Sequence, residues 1–408
     1  MKKLISLLLV VFMVMLSAVS VFAADQTQIA TECFSEDLTK PLEALPADAA
    51  VMNEGKLDIS AKSSILMEVN TGGILYEDNA NERLSPASIT KIMSLLLIME
   101  AIDDGRITLE TAVTTSEHAA SMGGSQIWLE PGETMTVHEL LKATVIASAN
   151  DATVALAEHL YGSEETFVSK MNEKAKQLGL ENTSFVNCSG LDAEGHFTSA
   201  HDVAVVSCEL LKHKLITDYS TVWMDSLRNG ESELVNTNKL VKFYSGCTGL
   251  KTGTTGNAGC CLSASACRDG MELVAVVMGS STSKDRFNGA RKMLDYGFAN
   301  FEFKAIAGEI GDNSAVKVKQ GVQKTVTALT DGNLHLLLPK GTTQEIKQTV
   351  YFNENLTAPI YKNDEIGMIS VTIDGQEVGA IKLIAETDVK KLTFGRAFLI
   401  MLDGLFCL

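Results

Sequence analysis

The hydrophobic pattern changes character several times along the chain. Residues 4–16 are apolar but for Ser6. The next apolar stretch alternates with a period of two and predicts a strand pair, Ser64–Val69 and Ile74–Tyr76, around a turn at Asn70-Thr71-Gly72-Gly73. Helical periodicity then fills much of 89–220. Strands return from about 240 to 280, with apolar runs at Cys261–Ser265 and Leu273–Met278. Phe287, Ala290, Met293, Leu294, Tyr296 and Phe298 predict a closing helix over Asp285–Asn300. Strands early and late with helices between predict an α+β fold, a sheet covered by helices plus a helical lobe, with an active site in the cleft between lobes.

Beyond residue 301 the pattern shortens to alternating runs: Val316 and Val318 against Lys317 and Lys319, Val350 and Phe352, Val371-Thr372-Ile373, and Val378–Leu383. Asp374-Gly375 between the last two is a hairpin signal. This predicts a small β-rich domain over 301–387, without chemistry of its own and acting as a spacer. Over Leu392–Leu408, Phe394, Phe398, Met401, Leu402, Leu405 and Leu408 fall on one helical arc, with Lys390-Lys391 ahead. That predicts an amphipathic helix over 388–408 lying in a membrane interface, too short and too charged to span it. The other reading is a terminal helix docked on the protein.

Composition changes this picture at the ends. Met1-Lys2-Lys3, the apolar run and Val21-Phe22-Ala23 make residues 1–23 a secretory signal, followed by a polar leader to residue 54 and a catalytic domain over 55–300. Removing the signal takes Lys2 and Lys3 with it and makes the net charge of −17 two units more negative. Nucleic acid is excluded as a partner for so acidic a chain. The eight cysteines have no framework spacing: Cys260-Cys261 are adjacent, Cys33 and Cys407 lie near the ends, and mostly free thiols are expected.

Three strings carry chemistry: Ser88-Ile89-Thr90-Lys91, Ser148-Ala149-Asn150 and Lys251-Thr252-Gly253. Average usage gives roughly one chance match of each of the first two per 400 residues, and of the third in about one chain in ten. Indeed Ser281–Lys284 and Ser314–Lys317 also read S-x-x-K. Context separates Ser88: Pro86 precedes it as a helix-start signal, and Ile89, Ile92, Met93, Leu95, Leu96 and Met99 follow as a buried helix. Lys91 then lies one turn on, on the same face, within reach of a hydroxyl surrounded by free N–H groups. Ser148 sits at a break between two apolar helices. Lys251 is expected on an edge strand entering a glycine-rich turn, where glycine lets substrate backbone approach. Together they supply a nucleophile, an amine to activate it, groups for proton traffic and a cation to grip a carboxylate. That is an acyl-transfer site, and it requires no metal or cofactor. Other motifs fail: His138-Glu139 lacks the second histidine of a zinc site, Gly249–Gly256 breaks the phosphate-loop order, and no G-x-S-x-G occurs.

With these residues in place the sequence resembles the serine penicillin-recognising enzymes. Wider strings make it similar to D-alanyl-D-alanine carboxypeptidases of the low-molecular-weight penicillin-binding type. They are Ser85–Lys91, Gly124–Leu129 with Pro131-Gly132-Glu133, Ser148–Glu158, Phe185-Val186-Asn187 with Gly190-Leu191, Asn236–Leu240 and Leu250–Cys260. Cys188-Ser189 and Thr254 depart from the residues common there. The resemblance implies a β-lactamase/transpeptidase-like antiparallel sheet, with Ser88 as acylated nucleophile and Lys91 as its base. It further implies Ser148 as proton relay, Asn150 holding Lys91 and the substrate amide, and Lys251, Thr252, Gly253 and Thr254 as the substrate-binding strand. The hydroxyls of Thr252 and Thr254 would join Lys251 on the terminal carboxylate, and the oxyanion would sit between the N–H groups of Ser88 and Thr254. Lys91 acts as a base only when neutral, so its pKa is expected to be depressed by burial or by Lys251. Peptidoglycan stem peptides are the implied substrate and β-lactams the inhibitors, with the protein exported to the outer face of the cytoplasmic membrane. A β-lactamase, a cross-link endopeptidase and a non-catalytic wall-binding scaffold remain the alternatives.

Overall fold

The computed structural model describes residues 57–311, 314–341 and 345–398. The signal segment, the leader and the tail helix beyond residue 398 therefore lie outside the described residues. The chain divides into two compact units at Asn300/Phe301.

In the first unit the strands are β1 Ser63–Glu68, β2 Ile74–Asp78, β3 Ala112–Thr114, β4 Thr134–Thr136, β5 Met224–Leu227, β6 Ser232–Val235, β7 Cys247–Thr255, β8 Gly259–Arg268 and β9 Met271–Ser280. The helices are α1 Lys91–Asp103, α2 Glu117–Ala120, α3 Val137–Ile146, α4 Asn150–Tyr161, α5 Glu164–Gln177, α6 Ala200–Lys212, α7 Leu215–Ser220, α8 Leu240–Phe243 and α9 Ser283–Asn300. One antiparallel sheet runs β2-β1-β9-β8-β7. Its central strands are buried along their length, which is why β9 reads as a continuous apolar run rather than an alternating one. The sheet packs against α6 and α9, and β3–β4 and β5–β6 form two separate small pairs.

The α1 helix explains how the halves of this unit meet. Every residue from Lys91 to Met99 is buried, so it has no solvent face and runs through the centre of the core. It packs on α6 on one side and on α4 and α5 on the other. The α3 helix that leads to Ser148 begins with a capping box: Glu139 N–H donates to Thr136 Oγ1 at 3.2 Å, and Thr136 N–H donates back to Glu139 Oε2 at 2.9 Å.

The second unit contains β10 Phe301–Ala307, β11 Ala315–Lys317, β12 Thr325–Thr330, β13 Asn333–Pro339, β14 Ile346–Phe352, β15 Glu365–Ile373 and β16 Gln376–Ala385. They form a sheet in the order β11-β12-β16-β15-β14 and a separate β10–β13 pair. Asp374 and Gly375, at φ 50° and 81°, make the hairpin turn that their sequence announces. Its core of Ile366, Ile369, Val371, Ile381 and Leu383 is its own.

Three expectations need correction. The α-helix does not start at Ser88: a 3-10 turn, Ala87–Thr90, follows Pro86 and holds Ser88, and α1 begins at Lys91. Residues 240–243, expected to start a strand, form the one-turn helix α8. The strands β3, β4, β5, β6, β10, β12 and β13 have no counterpart among the expected elements, most of them being too short or too evenly apolar to show a period of two. Of the residues expected in the tail helix, 394–398 are helical, and Phe394 and Phe398 are exposed.

Candidate active site

The three strings converge where the β7 edge of the sheet meets the start of α1 and the α3–α4 break. Ser88 sits in the 3-10 turn, directly after Ala87 at φ 50°. A non-glycine residue in the left-handed region is strained, and here it turns the chain so that the nucleophile precedes the buried helix. Lys91 is fully buried, and its Nζ lies 3.0 Å from Ser88 Oγ, 2.5 Å from Asn150 Oδ1 and 2.6 Å from the Ser189 carbonyl. A neutral amine has two hydrogens and one lone pair. As an ammonium, Lys91 donates to all three; once neutral, with Asn150 and Ser189 each accepting one hydrogen, its lone pair is left for the proton of the Ser88 hydroxyl. Burial pulls the Lys91 pKa down to about 7, against the opposing pull of Cys188 and Asp151. The expected depression is present, and its cause is desolvation.

Asn150 is oriented by its surroundings. Its Nδ2 donates to the Gly123 carbonyl at 2.7 Å and its backbone N–H to Ser125 O at 2.7 Å, so its oxygen is turned to Lys91. Gly124, at φ 80°, lies against this amide, where a Cβ would come within 2.8 Å of Nδ2. Ser148, at φ 64°, occupies the break between α3 and α4, and its hydroxyl is buried with no hydrogen-bond partner among the described residues. A buried orphan hydroxyl costs on the order of 1–3 kcal/mol, which a ligand supplying the partner recovers.

Lys251 lies on the edge strand β7, buried, with its Nζ donating to the Thr252 carbonyl at 3.0 Å. Burial pushes its pKa well below the ordinary lysine value, with Lys91 and Arg286 adding to the effect. Thr252 Oγ1 donates to Thr237 Oγ1 at 2.7 Å, which ties the strand to the Asn236–Asn238 segment. Gly253 permits a close approach to the Ser88 backbone: a Cβ there would meet Ser88 N at 2.8 Å and Ile89 N at 2.9 Å. The strand therefore packs directly against the N–H groups of the 3-10 turn and the Ala87 methyl.

Several residues at the site had no role assigned from the sequence. Arg286, in the stretch expected only to close the fold as a helix, is buried and donates to the Gly253 carbonyl at 3.2 Å and to Thr254 Oγ1 at 2.9 Å. Asp151 accepts from Ile127 N–H at 3.1 Å and Leu129 N–H at 3.1 Å, and Arg228 holds the Ile127 carbonyl at 3.0 Å and pairs with Glu133 at 2.9 Å. These two clamp the loop that carries Gly123–Ser125 against Asn150. Gly190, at φ 92°, lies against the Ala87–Ser88 backbone. His196, which has no ligand spacing to its neighbours in sequence, is a support. Its Nδ1 accepts from Val186 N–H at 2.9 Å, so its Nε2 donates to Thr90 Oγ1 at 2.9 Å, and burial lowers its pKa to about 4. Of the decoys, Ser314–Lys317 runs into β11 and Ser281–Lys284 straddles the start of α9. Cys188, Cys208, Cys247, Cys261 and Cys267 are free thiols; Cys260 is not.

Comparison with known proteins identifies the family. Residues 49–282 match the D-alanyl-D-alanine carboxypeptidase family, and residues 307–391 match the C-terminal domain of penicillin-binding protein 5. The chain is 45% identical over 398 residues to the D-alanyl-D-alanine carboxypeptidase DacF of Bacillus subtilis, covering 97% of this chain and 96% of that one. It is 34% identical to DacC of Escherichia coli, over 82% of this chain and 85% of that one. Among solved structures, penicillin-binding protein 5 of Haemophilus influenzae superposes with a TM-score of 0.70 at 31% identity, covering 84% of this chain and all of that one. Penicillin-binding protein D2 of Listeria monocytogenes, in its ampicillin-bound form, superposes with a TM-score of 0.55 at 30% identity, over 60% of this chain and all of that one.

Proposed function

The chain belongs to the D-alanyl-D-alanine carboxypeptidase family and is a serine-type D-Ala-D-Ala carboxypeptidase of the penicillin-binding kind, and from that premise we propose how its residues divide the work. Ser88 Oγ attacks the carbonyl of the penultimate D-alanine while its proton passes to Lys91. The tetrahedral oxyanion is held by the N–H groups of Ser88 and Thr254. Ser148, whose hydroxyl lacks a partner among the described residues, relays that proton from Lys91 to the departing D-alanine amine, which returns Lys91 to its neutral form. The C–N bond breaks, leaving an ester on Ser88. Water, deprotonated by Lys91, then hydrolyses the ester and restores the enzyme.

Lys251, with the Thr252 and Thr254 hydroxyls, receives the terminal carboxylate. Arriving negative charge offsets the burial that depresses Lys251, so substrate itself stabilises the cation that binds it. β-Lactams would acylate the same serine. The observation that carries this reading is the Lys91 amine, buried, held by two carbonyl acceptors and within 3.0 Å of Ser88 Oγ.

We place the protein outside the cytoplasmic membrane, bound peripherally to its outer face. The signal pattern of residues 1–23 supports export, and Lys390 and Lys391 ahead of the exposed Phe394 and Phe398 support the anchor. Truncation after Thr387 should release the processed protein from membranes.

The test of the chemistry uses a diacyl-D-alanyl-D-alanine peptide and labelled penicillin, beside Ser88→Ala. D-Alanine release with a long-lived penicilloyl adduct, both abolished in the variant, is the expected result. Rapid turnover of penicillin, or activity surviving in Ser88→Ala, would overturn it.

A further inference from the structure

Lys91 owes its orientation to two carbonyl acceptors, and one of them, Ser189 O, is a main-chain group on a loop. What fixes that carbonyl is a chain of bonds running out of the site. Cys188 N–H donates to Glu164 Oε1 at 2.9 Å, and the Cys188 carbonyl accepts from Ser94 Oγ at 2.7 Å. The next peptide unit turns its oxygen to Lys91 and its Gly190 N–H to Asn187 Oδ1 at 2.7 Å. Glu164, in the first turn of α5, is itself gripped: its Oε2 meets His118 Nε2 on α2 at 2.9 Å. The bond to Glu164 raises the His118 pKa, and Glu158 and Glu165 add to it, so this imidazole favours its charged form. The Glu164 side chain is largely enclosed, 13% exposed, whereas His118 reaches solvent at 48%.

We propose that Glu164, gripped by His118, is a positioning residue for Lys91: it holds the Cys188 N–H and through it the Ser189 carbonyl that aims the Lys91 amine at Ser88. The proposal rests on Lys91 being the base in acylation. Glu164 touches neither substrate nor reacting atoms and acts only through the 188–189 backbone. The groups facing Lys91 are the Cys188 thiol, Asp151 on α4 and Lys251 on β7. Burial, then Glu164, pushes the thiol well above its usual pKa. Glu164 is not among the charged groups that act directly on Lys91, so its substitution reaches Lys91 through the 188–189 backbone and its hydrogen bonding.

The experiment measures the rate of acylation by labelled penicillin per titrated active site, as a function of pH, for the full chain and for Glu164→Ala, Glu164→Gln, His118→Ala and Lys91→Ala. Glu164→Ala should acylate about tenfold more slowly, part of the 10²–10⁴ that a positioned base supplies. Its acid limb should move to lower pH, because an ammonium that loses a carbonyl acceptor gives up its proton more readily. KM for the diacyl dipeptide should stay within about twofold, since the lost interaction belongs to the transition state. Glu164→Gln keeps an acceptor for the Cys188 N–H and should recover most of the rate. His118→Ala should lose less than Glu164→Ala, in the same direction. Should Glu164→Ala not fold, His118→Ala decides in its place, and acylation there at the wild-type rate and pH midpoint overturns the proposal. So does wild-type behaviour of Glu164→Ala. Lys91→Ala separates the two levels: if it acylates normally, the assignment of the base fails, whereas if it is inert while Glu164→Ala is unaffected, only the positioning role fails.

Discussion

At the scale of single residues the site works by withholding solvent from two lysines. Lys91 lies at about 7, so if it is the base, as proposed, acylation should rise with pH through an inflection near that value, since only the neutral amine accepts the Ser88 proton. A pH series of acylation rates checks this, and an inflection near the model-peptide lysine value of about 10 would contradict it. Lys251 has the opposite requirement. It must be charged to hold a carboxylate, yet burial draws its pKa well down, so KM for the dipeptide should climb on the alkaline side while that for an uncharged amide analogue stays flat. The same groups bear on stability. A lysine whose folded pKa lies below its unfolded one binds fewer protons when folded, so over the window from about 7 to 10.5 stability contributed through Lys91 rises with pH. Ser88 and Lys91 were legible in the sequence because a three-residue spacing on a helix is a local fact. The roles of Arg286 and Asp151 were not, because what makes them matter is which distant atoms they meet: the Gly253 carbonyl and the Thr254 hydroxyl for one, the Ile127 and Leu129 N–H groups for the other.

At the scale of elements, the site depends on close approaches of backbone to backbone. A Cβ on Gly190 would lie 1.9 Å from the Ala87 carbonyl and 2.9 Å from Ser88 N, and its φ of 92° disfavours any side chain. Gly190→Ala should therefore push the nucleophile's turn aside and cost about 3 kcal/mol or more from overpacking and strain together. Acylation should fall further than the melting temperature suggests; a variant that melts lower but acylates at the wild-type rate per site would refute the coupling. Thr136→Ala is the contrasting case. It removes a capping box far from any reacting atom and should lower stability by about 1 kcal/mol with acylation rates unchanged. Sequence patterns located β1, β2 and α1 well, because two-fold alternation and a long apolar helix are strong signals. They missed β3 with β4 and β5 with β6, strands of three or four residues whose existence is decided by pairing partners rather than by their own composition.

At the scale of the whole molecule, the two units have separate hydrophobic cores. The larger gathers α1, α3, α4, α6 and the inner strands of the first sheet, and the smaller gathers β12, β15 and β16. Every residue assigned to the chemistry, from Ser88 to Arg286, belongs to the first unit, which ends at Asn300. The break was legible as a change of period, from long helices to short alternating strands, because each unit folds around its own pattern. A chain ending at Asn300 should therefore fold cooperatively, acylate with penicillin at the full-length rate and release D-alanine from a soluble dipeptide. The second unit and the tail should matter only when the substrate is fixed in a wall. With isolated peptidoglycan sacculi, or with membranes and wall together, the truncated chain should lose activity relative to the full one while its rate on soluble dipeptide stays the same. A truncated chain that is slow on soluble dipeptide, yet well folded by its melting transition, would show that the β domain contributes to the site itself. Equal activity of both chains on sacculi would remove the spacer role.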